Sequence, residues 1–379
     1  MAAALRVRRI SDDEHLDYIR TRPSVSFLQT PAWGQVKRDW QAESLGWEDA
    51  AGGLVGAGLV LYRQIPRLRR TLAYLPEGPD LPWGEAALDG RLADLLGPLR
   101  SYLAGRGAFA IRMGPSVVTR TWDAPTLKAA LAAGDATRLD DLEPTTTDPA
   151  GVALAAGLAA TGWQPPAQAT GFATGQPQHV FWLPLAGRDA DDVFAGFNQL
   201  WRRNVRRASK LGVTVDVGTR EDLPAFHALY VETAQRDGFT PRPLGYFTGM
   251  WDAMSAEDPQ RLRLYLAHHS ADLVAATTMV QVGRHAWYSY GASSSAKRDV
   301  RGSNAVQWRM ICDAIEAGAA VYDLRGITAT LDPQDPHAGL IQFKLGTGGQ
   351  AVEYVGEWTL PLSTLLYRAF ELYLARRSR

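Results

Sequence analysis

The sequence predicts a mixed α/β chain, in the α+β sense, built as two related domains with curved sheets flanked by helices. Three observations lead there. At 379 residues the chain is longer than one ordinary hydrophobic core serves, so two domains are expected. Short apolar runs alternate with stretches whose apolar residues fall three and four apart, the periods of buried strands and amphipathic helices. The order of these elements in the second half repeats that of the first, which places the domains at 1–165 and 166–351.

In chain order, "GGLVGAGLVLYRQIP" reads as a strand pair: a Gly-rich turn, then the apolar run Ala57 to Tyr62. "RRTLAYLPEGPDL" gives a strand over Thr71–Leu75 that ends in a Pro/Gly turn. "EAALDGRLADLLGPLRSYLAGRG" has helical spacing and closes on Gly105, and "AFAIRMGP" is a short strand. From Thr119 to about Asp148 the composition turns polar, and this segment is read as an insertion or linker. A helix over "AGVALAAGLAATGW" and the strand "HVFWLPL" follow. The second half then runs as a helix from Ala190 to Leu211, the strand "VTVDVG" and a helix from Asp222 to Arg236. A loop, a helix carrying Tyr246 to Met254, three meandering strands, a helix from Ala305 to Gly318 and the strand "AVYDLRGI" complete it. A meander followed by a helix and a further strand is the order of an acyltransferase of the N-acetyltransferase type.

Composition narrows the function classes. Forty basic residues balance forty acidic ones, so any nucleic-acid contact rests on a local patch. The single cysteine, Cys312, rules out an internal disulfide framework and a cysteine-based zinc site, and fits a reducing compartment. The opening residues carry charges by position 6, without a signal-peptide core. No uncharged apolar run nears eighteen residues. A cytoplasmic protein is expected, with the inner face of the membrane within its reach. Dinucleotide, Walker-type, H-E-x-x-H and G-x-S-x-G motifs are absent, as is the pyrophosphate loop of acyl-CoA transferases. His268 and His269 are adjacent, and on a strand they face opposite sides, so they make no metal pair.

What remains is a set of aromatic and basic stretches. "SFLQTPAWGQVKRDW" sets Trp33 and Lys37 four apart, on one face if Pro31 begins a helix. "LWRRNVRRASKLGV" gathers Arg202, Arg203, Arg206, Arg207 and Lys210 on a helix whose other face carries Phe194, Phe197, Trp201, Val205 and Ala208. "TAQRDGFTPRPLGYF" has Arg242 and Tyr246 near two prolines, and "GLIQFKLGTGG" sets Lys344 in a strand-like apolar run among glycines. A buried lysine needs a partner or a task.

In this order the stretches resemble the FemABX family, the aminoacyl-tRNA-dependent transferases that extend peptidoglycan side chains. The matching features are Leu-Gln-x-x-x-Trp-x-x-x-Lys at 28–37, the Tyr-x-Pro-x-Gly-Pro turn at 74–79, and Arg-Asp-Gly-Phe at 236–239 with Arg242 following. Tyr-Gly-Ala at 290–292, Gln307-Trp308, Tyr-Asp-x-x-Gly-Ile at 322–327 and Gly-Leu…Phe-Lys ending in Gly-Glu continue the series. Coverage runs from about Ser26 to Trp358, with a gap at 119–148. Only "SKLGVTVDVGTREDLP" separates the basic helix from the next, so no helical arm fits and the likeness is to the compact type. One departure stands out: "IRMGPS" has Gly114 where family members often carry an aspartate.

The resemblance implies two N-acetyltransferase-like domains, with residues 352–379 returning to the first. It implies transfer of glycine, alanine or serine from aminoacyl-tRNA to the side-chain amine of a peptidoglycan stem peptide, lipid-linked or UDP-linked. No cofactor or metal is expected beyond the tRNA co-substrate. It implies Lys344 as the catalytic cation, with Phe343 beside it as packing and a shield from water. A fixed positive charge in a dry cleft would lower the barrier to the oxyanion formed at the ester, whereas the plainer reading is a lysine snorkelling from a strand. Lys37 and Arg242 would hold the precursor diphosphate, with Tyr74, Tyr246 and Tyr290 near the precursor. Tyr288 competes with Tyr290, two residues away on the same expected strand face. The basic helix, with Arg202, Arg203, Arg206 and Arg207, would meet the tRNA acceptor arm; a solvated face or anionic lipid headgroups are its alternatives. Asp323 is read as a brace for the turn before Gly326, and the glycines after Lys344 as room for a tRNA end. Two other functions fit the same residues: tRNA-dependent peptide-bond formation in a secondary-metabolite route, and a non-catalytic partner in cell-wall assembly.

Overall fold

A capping box starts the first helix. Ser11 Oγ accepts the Glu14 N–H at 3.1 Å while the Ser11 N–H donates to the Glu14 carboxylate at 2.9 Å, which satisfies two helix-end donors at once. The computed structural model describes residues 5–65, 68–134, 136–166, 175–332, 334–335 and 338–377. Two units emerge: 1–121, 146–178 and 353–379 in the first, 122–145 and 179–352 in the second.

In the first unit the chain runs β1 (Arg6–Arg9), α1 (Asp12–Arg20), α2 (Pro31–Val36), β2 (Gln41–Glu48), β3 (Leu54–Gln64) and β4 (Thr71–Leu75). Then come α3 (Trp83–Leu88), α4 (Leu92–Gly105), β5 (Ala108–Met113) and β6 (Val118–Trp122). The expected strand pair at 52–64 is one strand, β3, entered from a turn at Gly52. A side chain at Gly56 within it would come 2.1 Å from Leu81 Cδ2, so glycine lets two segments touch there without ending the strand. The expected helix over 85–105 is two helices, broken where Gly90 takes φ +70°.

The polar segment after Thr119 is not a linker. It folds as β6, α5 (Ala124–Ala133) and a short β7 (Thr146–Thr147), and α6 (Pro149–Ala160) follows. Trp122, Leu127 and Leu139 are fully buried in the core of the second unit. Its alanines, aspartates and threonines cap and space this helix: Asp123 accepts the Thr126 N–H at 2.9 Å as the N-cap. Polar composition concealed a small apolar stripe of one residue per turn.

The second unit continues with β8 (His179–Pro184), α7 (Ala190–Gly196), α8 (Gln199–Lys210), β9 (Val213–Gly218), α9 (Leu223–Asp237) and α10 (Leu244–Glu257). The meander β10 (Leu262–His269), β11 (Asp272–Val282) and β12 (His285–Ser293) leads to α11 (Gly302–Glu316) and β13 (Val321–Gly326). After them stand α12 (Ala338–Leu345) and β14 (Gln350–Tyr354), and the chain returns to the first unit as β15 (Trp358–Pro361) and α13 (Thr364–Arg377). The expected helix from Ala190 to Leu211 is two, because Phe197 turns extended and Asn198 caps α8 by accepting the Trp201 N–H at 2.8 Å. One strand, β9, joins α8 to α9, and no helical hairpin intervenes.

In the first unit the sheet order is β1-β2-β3-β4-β5-β15, antiparallel except for the parallel pair β4/β5. Trp47, Leu45 and Val60 on it pack with Leu95, Leu99 and Leu103 of α4. In the second unit β8-β13-β12-β11-β10-β9 lie side by side, with β12/β13 parallel. This sheet, α8 and α11 enclose Phe181, Tyr265, Met310 and Tyr322. On its other face α9 and α10 bury Phe226 and Phe247. Replacing Trp122 with Ala should destabilise the chain by about 3–5 kcal/mol in urea unfolding, a core-sized loss; a change under about 1 kcal/mol would restore the linker reading.

Candidate active site

Lys344 lies on a helix, not on a strand. A short apolar run does not distinguish the two by itself, and here Ile341, Lys344 and Leu345 are the buried residues of α12, at helical spacing. The lysine side chain is 3% exposed, which rules out a snorkelling strand residue. Its Nζ donates to the carbonyl of Arg325 at 3.1 Å and to that of Gly326 at 2.6 Å. Arg325 takes φ +64°, the left-handed region, where a side chain costs roughly 1–2 kcal/mol. That turn at the end of β13 aims two successive carbonyls at the ammonium group.

Asp323 braces the turn, as expected. It is wholly buried, accepts the Arg325 N–H at 2.5 Å and the Trp182 Nε1–H at 3.3 Å, and lies 3.4 Å from His285 Nε2. His285 stacks on Trp287 with ring centroids 4.1 Å apart. Burial opposes charge on Asp323, but the nearby His285 imidazole and the Arg325 guanidinium outweigh it and hold the carboxyl below its usual range. Lys344 has no such surplus. Burial pushes its ammonium down to about 7, only partly offset by the Asp323 charge, with Arg325 adding to the fall. A depression from 10.5 to about 7 corresponds to about 5 kcal/mol in favour of the neutral amine. At neutral pH the group is a proton carrier as much as a fixed cation.

Phe343 fastens α12 to the basic helix. Its ring lies 4.8 Å from that of Trp201, and its carbonyl accepts the Trp201 Nε1–H at 2.8 Å. The glycines that follow serve this packing and do not hold space for a ligand. A side chain at Gly346 would come 2.1 Å from Trp201 Cδ1, and one at Gly349 2.3 Å from the Trp182 carbonyl. Gly348, at φ +74°, would meet the Gly196 carbonyl at 2.5 Å. On α8 itself Arg203, Arg206, Arg207 and Lys210 are exposed. Arg202 donates to the Ala195 carbonyl at 3.0 Å, Arg206 sits 5.3 Å from the Phe194 ring and Arg207 donates to the Asp299 carbonyl at 2.9 Å.

A second group in this unit holds Arg242, Tyr246 and Tyr290. The two phenol oxygens are 2.9 Å apart, and the Arg242 guanidinium lies 5.2 Å from the Tyr246 ring centroid. Arg242 is exposed on the loop before α10, and Tyr246 sits in that helix's first turn. Burial and then Tyr290 push the Tyr246 phenol far up, so it stays a neutral donor. Tyr288 does not share the face of Tyr290. A bulge between Thr278 and Met279 offsets the pairing, so Tyr288 packs toward the core under α11 and Tyr290 toward α9 and α10.

In the first unit Lys37 ends α2 with its Nζ 4.8 Å from the Trp33 ring, the face-sharing expected from the spacing. The Tyr74 hydroxyl donates to Glu357, a residue that sequence reasoning left unassigned, and burial pushes the Glu357 carboxyl up. A side chain at Gly114 would come 2.9 Å from Glu357 Cγ. The space beside Gly114 is therefore filled by the stem of another carboxylate. The Gly-Glu pair was the available signal, and a glycine in an aspartate's place was the other half of it.

Two units of mixed sheets flanked by helices, one with a buried lysine held by the turn at the end of β13, define an acyltransferase-like fold. The chain belongs to the FemAB family, whose model it matches over residues 10–268 and 255–374, and it is a transferase. The lipid II:glycine glycyltransferase of Staphylococcus haemolyticus strain JCSC1435 is 24% identical, across 96% of this chain and 94% of that protein. That of Staphylococcus aureus strain USA300 is 23% identical with the same coverage. Among solved structures, FemX superposes with TM-score 0.79 at 22% identity, covering 96% of this chain and 99% of FemX. A tandem GNAT protein from the clavulanic acid biosynthesis pathway gives 0.50 at 13% identity, over 94% and 98%.

Two outcomes test this geometry. Between pH 7 and 10.5 the folded chain binds fewer protons at Lys344 than the unfolded chain. The penalty is therefore complete below pH 7 and fades as pH rises. In urea unfolding, the stability of Lys344→Met relative to wild type should fall by about 2–4 kcal/mol from pH 6 to pH 10; a constant difference would show an ordinary lysine. Gly114→Asp should cost about 1–3 kcal/mol by overpacking against Glu357, and an unchanged melting curve would contradict that packing.

Proposed function

We propose that the chain transfers glycine from glycyl-tRNA to the side-chain amine of a peptidoglycan precursor stem peptide, in building the interpeptide bridge. The observation that carries this is the buried Lys344 with its carbonyl grip, in a chain that aligns with glycyltransferases along almost its whole length. The amine attacks the ester carbon, the carbonyl oxygen becomes an oxyanion, and the carbon–oxygen bond to the ribose then breaks. Two hydrogens of Lys344 go to carbonyls, and the third is left for the oxyanion or for the departing ribose oxygen. An ammonium that titrates near neutrality gives up that proton at little cost. The incoming amine is itself protonated near pH 7 and must lose a proton first. Residue 114 is glycine and supplies no base, so substrate or tRNA groups are proposed to take that proton.

Lys37 and Arg242 are each proposed as a cationic donor to precursor phosphate, and Tyr74, Tyr246 and Tyr290 as hydrogen-bonding groups for the precursor. The exposed Arg203, Arg206 and Arg207, with Arg202 beside them, are proposed to meet tRNA phosphates; such contacts weaken steeply with salt. Among the described residues no helix is long and apolar enough to cross a membrane, so a lipid-linked acceptor would be met by a peripheral approach at the inner face. Lys344→Ala should reduce transfer of labelled glycine from glycyl-tRNA to lipid II at least about 1000-fold, with precursor affinity within about threefold. Near-normal turnover in that variant would refute the assignment. Turnover with small amines but not with lipid II would favour the secondary-metabolite route, and failure to consume any charged tRNA the non-catalytic partner.

A further inference from the structure

The second unit contains one wholly buried carboxylate whose use the transfer reaction leaves open. That carboxylate is Asp323. Its contacts are the Arg325 N–H at 2.5 Å, the Trp182 indole at 3.3 Å and His285 Nε2 at 3.4 Å. The first of these contacts holds a non-glycine residue in the left-handed region. Without it, Arg325 has a local reason to relax to negative φ, and its carbonyl then swings off Lys344 Nζ. The indole and the imidazole fix Asp323 in turn, and Trp182 Nε1 has a tether of its own: β8 pairs Trp182 with Asp323 in register. The path is short and fully connected: β8 to Asp323, to the turn at 325–326, to the lysine.

We propose that Asp323 is the positioning residue of the lysine site, holding the Arg325–Gly326 turn whose two carbonyls grip Lys344 and supplying the buried negative charge that the lysine faces. This rests on the reading of Lys344 as the reacting cation, but its structural half stands without it. The charged groups around Lys344 are few. Asp323 and Arg325 act on it from β13. From α5, which packs against α12, the one charge is Lys128, on the exposed side, and from α8 the neutral Trp201 faces Phe343. Removing the Asp323 charge therefore leaves Lys344 with a like charge and low-dielectric surroundings only, and its proton becomes easier to lose.

The chain has five lysines, Lys37, Lys128, Lys210, Lys297 and Lys344, so carbon-13 labelling of lysine side chains gives five resolvable Cε titrations in the full-length protein. Lys344 is assigned by its loss in Lys344→Met. In Asp323→Asn, which keeps the shape and an acceptor for the Arg325 N–H, the midpoint of Lys344 should fall by about one pH unit, with the other four unmoved. In parallel, kcat for glycine transfer should fall at least about tenfold with KM nearly constant, and the alkaline limb of the rate profile, where Lys344 loses its proton, should move to lower pH with the lysine. Adding Arg325→Gly, which takes the left-handed turn without strain, should recover part of kcat, and the midpoint should rise from its Asp323→Asn value because the Arg325 charge that lowers it is gone. The double variant also serves as the folding control, since it relieves the strained turn. An unmoved Lys344 midpoint in Asp323→Asn would overturn the proposal, whatever the turnover. A moved midpoint in a chain that consumes no charged tRNA would keep the positioning role and overturn the transferase reading alone.

Discussion

A lysine with three per cent exposure, gripped by two backbone carbonyls, is the interaction from which the second unit is best understood. Water would stabilise its ammonium far better than this site does, and burial accordingly lowers its proton affinity toward neutrality. A protein tolerates such a group only where neighbouring structure over-determines it. Here the neighbours are a left-handed turn at Arg325 and a carboxylate that accepts from it. Each is unfavourable or exacting in isolation, and together they make a donor of fixed position and adjustable charge.

The same helix is tied to the basic one. Trp201 stacks on Phe343 and donates to its carbonyl, while the N–H of Asn198, the cap of α8, donates to the Gly346 carbonyl at 2.9 Å. Glycines at 346, 348 and 349 permit approaches that no side chain would survive. A ligand that pulls on the arginines of α8 therefore acts on an element joined by two hydrogen bonds and a ring contact to the one carrying Lys344. Proposed tRNA binding and proposed chemistry thus fall on two helices in direct contact.

Much of this was legible in the sequence because it rests on local signals. The strand Thr71–Leu75 and the Trp33–Lys37 contact follow from period and spacing. The Asp323 brace follows from an aspartate two residues before a turn. The errors share a cause: tertiary contacts that composition does not record. The segment 122–145 looked like a linker because alanine, aspartate and threonine dominate it, yet Trp122 and Leu127 are core. The run around Lys344 looked like a strand because eight residues are too few for period to decide. Tyr288 and Tyr290 were assigned one face because a bulge leaves no trace in alternation. Glu357 went unassigned because its meaning depends on Gly114, far away in sequence. The ordering of motifs, by contrast, carried the family, since matching signals in sequence survive local misreadings.

The central claim is that Lys344 faces the acyl ester of a charged tRNA, and proximity capture tests it most directly. A tRNA whose 3′ end carries chloroacetate in place of glycine presents an electrophilic carbon where the amino acid would sit. An amine that titrates near 7 displaces its chloride at neutral pH and keeps the adduct. Peptide mass mapping of the full chain after incubation should find the adduct on Lys344 ahead of Lys37, Lys128, Lys210 and Lys297, with loss of labelling when glycyl-tRNA competes. Labelling confined to those four, or indifferent to the competitor, would contradict the account.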